Sequence, residues 1–191
     1  MADLDQNDAS QVTILEPRAR FYHHPLAVVL ALLGGVLGII GAIVTEIQSG
    51  GFLLLPIIGA PIIEEAMKPA GVYLLMARWP QALRGRLYTA VLAAISGLSF
   101  GLVEAFVYIT LYVSDPPDWF VTYRFTAPLA LHTGASFIVG LGITRNLWEW
   151  TQGREPLAKS SRNLFITAVS IHAIFNTTAI ALALSGVLDV E

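Results

Sequence analysis

Apolar residues arrive along this chain in blocks, at about 26–45, 52–77, 88–112, 126–148 and 163–188, and the short stretches between them collect the charges. As a helix rising 1.5 Å per residue, each block is long enough to cross a hydrocarbon core of about 30 Å. The pattern predicts an all-α fold, a polytopic transmembrane helical bundle of about five spans. The second block differs from the rest. Pro56, Pro61 and Pro69 each remove a backbone donor there, so it is expected as a broken span, a short re-entrant piece followed by a shorter helix. Residues 1–25 read as a polar lead-in, 26–188 as a single transmembrane domain and 189–191 as a short tail.

The charges between blocks give an orientation, because Lys and Arg favour the cytoplasmic side. With the N-terminus inside, the inner segments hold Arg18, Arg20, Arg78, Arg84, Arg86, Arg145, Arg154, Lys159 and Arg162. The outer segments hold only Arg124, with Glu46, Asp115, Asp118, Asp189 and Glu191, and the remaining basic residue, Lys68, lies within the second block. This predicts a multi-pass protein of the cell membrane with its C-terminus outside. Trp79, Trp119, Phe120, Tyr123, Trp148 and Trp150 cluster at block ends, where an amphipathic ring can sit among headgroups. Gly34 with Gly38, and Gly97 with Gly101, form small-xxx-small spacings that let helices approach closely.

Composition agrees with lipid as the solvent. The chain is 55% hydrophobic and 13% charged, and its mean hydropathy is +0.65; soluble domains carry about a quarter charged residues. A net charge of −3 without a basic stretch excludes nucleic acid as a partner. The lack of cysteine removes disulfides, thiolate nucleophiles and cysteine metal sites. Asp3, Asp5 and Asp8, with no basic residue before Arg18, do not resemble a cleaved signal peptide.

Against this background the ionisable residues inside the spans stand out. Glu64 and Glu65 are adjacent, and Lys68 can reach back to either of them on a helix. Glu104 has no basic residue three or four positions away, so its partner must come from another helix, from water or from a proton. His132 shares a helix face with Ser136, and His172 shares one with Asn176. Each group alone has a bland reading: an ion pair for the glutamates, a carbonyl contact for a histidine, a bond back to its own helix for the serine. Five acids and imidazoles in four consecutive spans are harder to explain that way. Counted from the outer span ends, Glu64 and Asn176 lie about 18 Å deep, Glu104 about 12 Å, His132 about 9 Å and His172 about 24 Å. That spread exceeds a hydrogen-bonded network unless tilt and the broken span reduce it.

Carboxylates and imidazoles together can activate water, by general-base catalysis or through a divalent metal, and an amide such as Asn176 can donate to a developing oxyanion. Hydrolysis is the natural class. The sequence contains no HExxH, and every Asp lies outside the spans. The same residues would also serve a proton- or ion-coupled transporter or channel, although no inverted repeat is evident among the blocks. A third reading, a silent scaffold, gives no reason to retain so many costly polar groups.

EEAMK at 64–68, FGLVE at 100–104, His132, and HAIFN at 172–176 occur in an order that resembles the PrsW family of membrane proteases, relatives of the CAAX prenyl endopeptidases and bacterial Abi proteins. The resemblance runs from the second block to the fifth. It implies a metalloprotease acting on a membrane-anchored protein, with Glu64, Glu65, Glu104, His132 and His172 as catalytic residues. In the wider group a first-motif glutamate and a second-motif histidine activate water, and the final histidine and asparagine support the oxyanion. Carried over, the last roles fall on His172 and Asn176. The second motif here offers Glu104 in place of histidine, so His132 takes part of that work. Glu104, His132 and His172 would give zinc one carboxylate and two imidazoles with an open position. A metal-free water activated by Glu64 or Glu65 is equally consistent.

Overall fold

The computed structural model describes residues 23–49 and 55–185, so most of the polar lead-in, with Arg18 and Arg20, and the tail at 189–191 lie outside the described residues. Helix α1 (His23–Ser49) comes first, and a π-helical turn (Leu55–Gly59) leads into α2 (Ala60–Met67) and α3 (Ala70–Arg78). Then follow α4 (Arg86–Val107), a second π-helical turn (Tyr108–Tyr112), α5 (Asp118–Arg124), α6 (Ala127–Gly142), α7 (Arg145–Thr151) and α8 (Lys159–Leu184). The result is an all-α polytopic membrane bundle. Among the described residues four segments are long and apolar enough to cross a membrane: His24–Val44, Arg86–Tyr112, Asp118–Gly142 and Lys159–Leu184.

The second apolar block is the exception to five continuous spans. Helix α2 ends where the Lys68 N–H donates to the Glu64 carbonyl (2.8 Å), and α3 restarts with the N–H groups of Val72 and Tyr73 donating to the Pro69 carbonyl (2.8 and 2.9 Å). Pro69 has no N–H to continue the ladder, and Val72 turns to Pro69, so the Lys68 carbonyl is freed. The Ser96 hydroxyl on α4 donates to it. A backbone acceptor released in an apolar setting is thus satisfied by a neighbouring helix, the condition for a break at membrane depth.

Small residues set the directions of the helices. A Cβ on Gly34 would run into the Gly71 backbone, one on Gly38 would lie 3.4 Å from the Lys68 Cα, and one on Gly41 would meet the Met67 side chain. Numbers rise along α1 as they fall along α2–α3, so the bent segment runs back beside α1. Helix α4 runs with α1, since Tyr88 OH contacts His24 Nδ1 (3.0 Å) and the Ser99 hydroxyl donates to the Leu32 carbonyl (2.9 Å). Gly97 abuts His132 and Ser136 while Gly140 abuts Ala90, which makes α6 antiparallel to α4. Gly142 lies beside Ser161 and His132 beside His172, so α8 reverses again.

The interior holds alanines and branched aliphatic side chains, among them Ala27, Ala31, Val72, Leu75, Leu92 and Ala93. Long apolar side chains such as Leu33, Leu37, Ile40 and Ile174 point outward. Apolar side chains turned outward suit lipid, where close backbone packing rather than water exclusion holds helices together. Both small-xxx-small pairs serve the polar centre directly: Gly38 lies against Lys68, and Gly97 and Gly101 lie against His132.

Replacing Gly97 by Ala puts a methyl group onto the His132 carbonyl oxygen and the Ser136 side chain. The expected cost is about 1–3 kcal/mol, as for other overpacked cores, read as a lower melting temperature of detergent-solubilised protein. Gly134→Ala meets nothing within 4 Å and is expected to match or exceed wild type, by up to about 1 kcal/mol from helix propensity. Equal melting of the two variants would show that Gly97 does not set the α4–α6 approach.

Candidate active site

Four helices deliver ionisable groups to one point in the interior. Helix α2 supplies Glu64 and Glu65, α4 Glu104, α6 His132 and α8 His172, and between them lies Lys68, which is fully buried. Its position follows from helix geometry, since residues three and four apart share a face. The Lys68 ammonium is 2.7 Å from Glu65 Oε1 and 3.3 Å from Glu64 Oε2. It also lies 2.8 Å from His132 Nδ1 and 4.4 Å from the centre of the Phe100 ring.

These contacts fix the histidine tautomers. An ammonium can only donate, so His132 Nδ1 must accept and the ring proton must sit on Nε2. Nε2 is 2.8 Å from Glu104 Oε2 and donates to it. The same oxygen accepts from Arg124 Nη2 at 2.7 Å, and the Arg124 guanidinium lies over the Tyr108 ring at 3.8 Å. His172 is ordered in the same manner: its Nδ1 is 2.8 Å from Glu65 Oε1, a carboxylate oxygen that must accept. His172 Nε2 is left with its lone pair 3.7 Å from Glu64 Oε2. The two imidazoles meet edge to face with centroids 5.0 Å apart.

Each imidazole is therefore held from behind by a carboxylate and presents its other nitrogen to Glu64. Glu64 Oε2 is buried and, apart from its ion pair with Lys68, accepts no hydrogen bond among the described residues. One ligand atom from each of Glu64, His132 and His172 falls within 4.8 Å of the others, an arrangement able to hold a metal ion. Formal charge points the same way. With all three glutamates ionised, Lys68 and Arg124 leave one negative charge for a cation or a proton to balance.

All five acids and imidazoles anticipated from the sequence thus converge on one cluster, four of them in hydrogen bonds and Glu64 within 4.0 Å of both imidazoles, so the depths inferred from span ends do not keep them apart. Those depths assumed straight spans with known ends, whereas α2 begins after a π-helical turn and α6 follows the separate helix α5. Among the described residues the group with ligand-like spacing contains Glu64 and not Glu104, whose Oε2 is engaged by Arg124 and His132. Asn176 sits one turn beyond His172 but donates from Nδ2 to the Pro56 carbonyl (2.9 Å), tying α8 to the turn before α2. Ser136 is buried against Gly97, and its hydroxyl has no hydrogen-bond partner.

Sequence reasoning missed site contacts made by three residues. Lys68 was visible as a partner of the glutamates but not of His132, 64 residues away. Phe100 gave no signal beyond its place in FGLVE. Arg124 did give one, as the single cation of the outer segments, on the side where the charge bias disfavours it.

Residues 23–190 match the family model described as PrsW family intramembrane metalloprotease. No curated protein and no solved structure matches the chain.

Lys68→Met leaves two buried carboxylates without their cation, and removing one partner of a buried ionic group costs about 3–5 kcal/mol. The variant is expected to melt well below wild type in detergent. Adding Glu65→Gln removes one of the stranded charges and should recover part of the loss. A Lys68→Met protein as stable as wild type would remove Lys68 as the electrostatic centre of the bundle.

Proposed function

The chain belongs to the PrsW family of intramembrane metalloproteases, and on that footing we propose that it hydrolyses a peptide bond in or near a transmembrane segment of another membrane-anchored protein. The observation that carries the reading is Glu64 Oε2, which is ion-paired with Lys68 at 3.3 Å but accepts no hydrogen bond among the described residues, and which is buried opposite two imidazoles whose far nitrogens are already held by carboxylates. This donor set fits a divalent metal, and zinc best suits one carboxylate, two imidazoles and an open position. Glu64, His132 and His172 would hold the ion. When bound it supplies a water of lowered pKa and a Lewis acid for the scissile carbonyl.

The other residues orient. Glu104 keeps the proton of His132 on Nε2, and Glu65 keeps that of His172 on Nδ1, the carboxylate–histidine pairing that fixes ring direction and raises basicity in metal sites. Lys68 donates to His132 Nδ1, the nitrogen nearer Glu64 (4.0 Å). That lone pair serves one partner at a time, so occupancy by a metal leaves Lys68 to the two glutamates. Asn176, engaged with the Pro56 carbonyl, is assigned to holding α8 on the turn before α2 rather than to the oxyanion. Without a metal, the same oxygen of Glu64 would be the general base for water.

Wild-type protein purified in detergent is expected to contain about one zinc per chain, and Glu64→Gln and His132→Gln are expected to lose both the metal and the cleavage of a membrane-anchored reporter. Full cleavage by metal-free protein would select the general-base mechanism, and full cleavage by Glu64→Gln would remove Glu64 from both. Asn176→Ala is expected to melt lower while turnover per folded molecule stays within a few-fold of wild type. A fall of roughly 10² to 10³, the scale of a lost oxyanion donor, would restore Asn176 to catalysis.

The alternating directions of α1, α2–α3, α4, α6 and α8 support five crossings, with the bent segment as the second. The basic residues Arg78, Arg84, Arg86, Arg145, Arg154, Lys159 and Arg162 then share the cytoplasmic side with the N-terminus. The chain lacks cysteine, so single cysteines report cleanly. Asp118→Cys should react with a membrane-impermeant thiol reagent on intact cells and Arg84→Cys should not; the opposite labelling would invert the topology.

A further inference from the structure

Arg124 is not among the residues that the catalytic reading uses, yet it is tied to the site by one intervening group. It ends α5, a seven-residue helix lying between α4 and α6 in the chain, and is 9% exposed. Its Nη2 donates to Glu104 Oε2 at 2.7 Å, and that oxygen also receives the His132 Nε2 proton at 2.8 Å. The guanidinium is stacked over Tyr108, and its Nε is buried without a hydrogen-bond partner. A buried donor left unmet is a cost, so the placement of this side chain is not explained by full satisfaction of its own hydrogen bonds.

We infer that Arg124 is a positioning residue, which fixes the orientation of the His132 ring by anchoring Glu104. The Glu104 side chain is 17% exposed, more than any other member of the cluster. Released from Arg124, its carboxylate can turn toward the open side of the site. His132 then loses the acceptor that keeps its proton on Nε2, and the remaining selector, Lys68, has Glu64 and Glu65 as alternative partners for its ammonium, so the Nδ1–H form becomes accessible. Both nitrogens of this ring are engaged, by Lys68 and by Glu104, so a change at Nε2 changes what Nδ1 offers to the point shared with Glu64 and His172. A planar guanidinium stacked on a ring resists rotation in a way an ammonium does not, which assigns the role to arginine specifically. The neighbouring Tyr123 stacks on Phe175 of α8 with centroids 6.5 Å apart and planes within 6°. Helix α5 is thereby fastened both to the α4 side of the site and to the helix that carries His172.

This inference rests on His132 as a group whose ring direction matters to the site, and its first readout does not require a metal. Full-length protein carrying ¹⁵N-histidine, solubilised in detergent and stripped of metal, reports the His132 tautomer by NMR, with His132→Gln identifying its signal. Wild type should show the Nε2–H form alone; Arg124→Gln should show a mixture, and Arg124→Lys a smaller admixture. Glu104→Gln should alter the signal as well, and Arg124→Gln added to Glu104→Gln should change it no further. Zinc affinity, measured by competition with a chromogenic chelator, should fall about 10- to 100-fold in Arg124→Gln, the scale of losing an outer-shell partner, with no added loss in the double variant. If Arg124→Gln folds by gel filtration and keeps a pure Nε2–H His132, the inference is overturned. Equal further losses in the Glu104→Gln background overturn it too. A wild-type protein that binds no zinc but shows the predicted tautomer change overturns the metal reading and leaves Arg124 in its role.

Discussion

A buried ammonium has no acceptors except those the chain brings to it, and Lys68 brings together two carboxylates of its own helix, an imidazole from α6 and the ring of Phe100 from α4. Desolvating such a charge is tolerable only when its partners hold their geometry. Much of the fold follows. The break at Pro69 comes immediately after Lys68, and the carbonyl it frees belongs to that residue and is met by Ser96. Glycines on α1 and α4 bring neighbouring backbones close enough for a short, dry centre. Stability and chemistry share this demand, since the charges that must be compensated in lipid are also the ones able to act on water.

The polarity of the network has a direction. Protons point from Lys68 to His132, from His132 to Glu104 and from Arg124 to Glu104, while His172 points to Glu65. Lys68 also donates to Glu65 and lies 3.3 Å from Glu64 Oε2 as an ion pair, and among the described residues that oxygen accepts no hydrogen bond. A transporter relay uses groups that exchange protons readily with one another; here each imidazole is held in one tautomer by fixed partners, which suits a preorganised hydrolytic site better than a proton wire. Membership of a metalloprotease family agrees with that distinction.

What could be read from the amino-acid sequence divides along a physical line. The apolar blocks, the break expected from Pro56, Pro61 and Pro69, the Lys68 contacts to Glu64 and Glu65, and the close approaches at Gly97 and Gly101 depend on local spacing, and they were legible. The pairing of Arg124 with Glu104, of Lys68 with His132 and of Asn176 with Pro56 spans 20, 64 and 120 residues, and no periodicity encodes such distances. The carboxylate expected among metal ligands was Glu104, which with His132 and His172 makes a set that zinc chemistry permits. The structure engages it with Arg124, a residue singled out beforehand only by its sign and side. Asn176 shows the complementary limit: sharing a helix face with His172 did not decide which neighbour its amide would meet.

Helix α8 contributes His172 while touching the bundle mainly through α6, α2 and the turn before α2, and much of its remaining surface is exposed. It is also the last of the described helices to be synthesised. A nascent chain that has inserted everything up to α7 already carries Glu64, Glu65, Lys68, Glu104, Arg124 and His132, yet it lacks the second imidazole and the Asn176 clasp on Pro56. Order of synthesis therefore leaves the cluster incomplete until α8 docks, because His172 is its only contribution from that helix among the described residues.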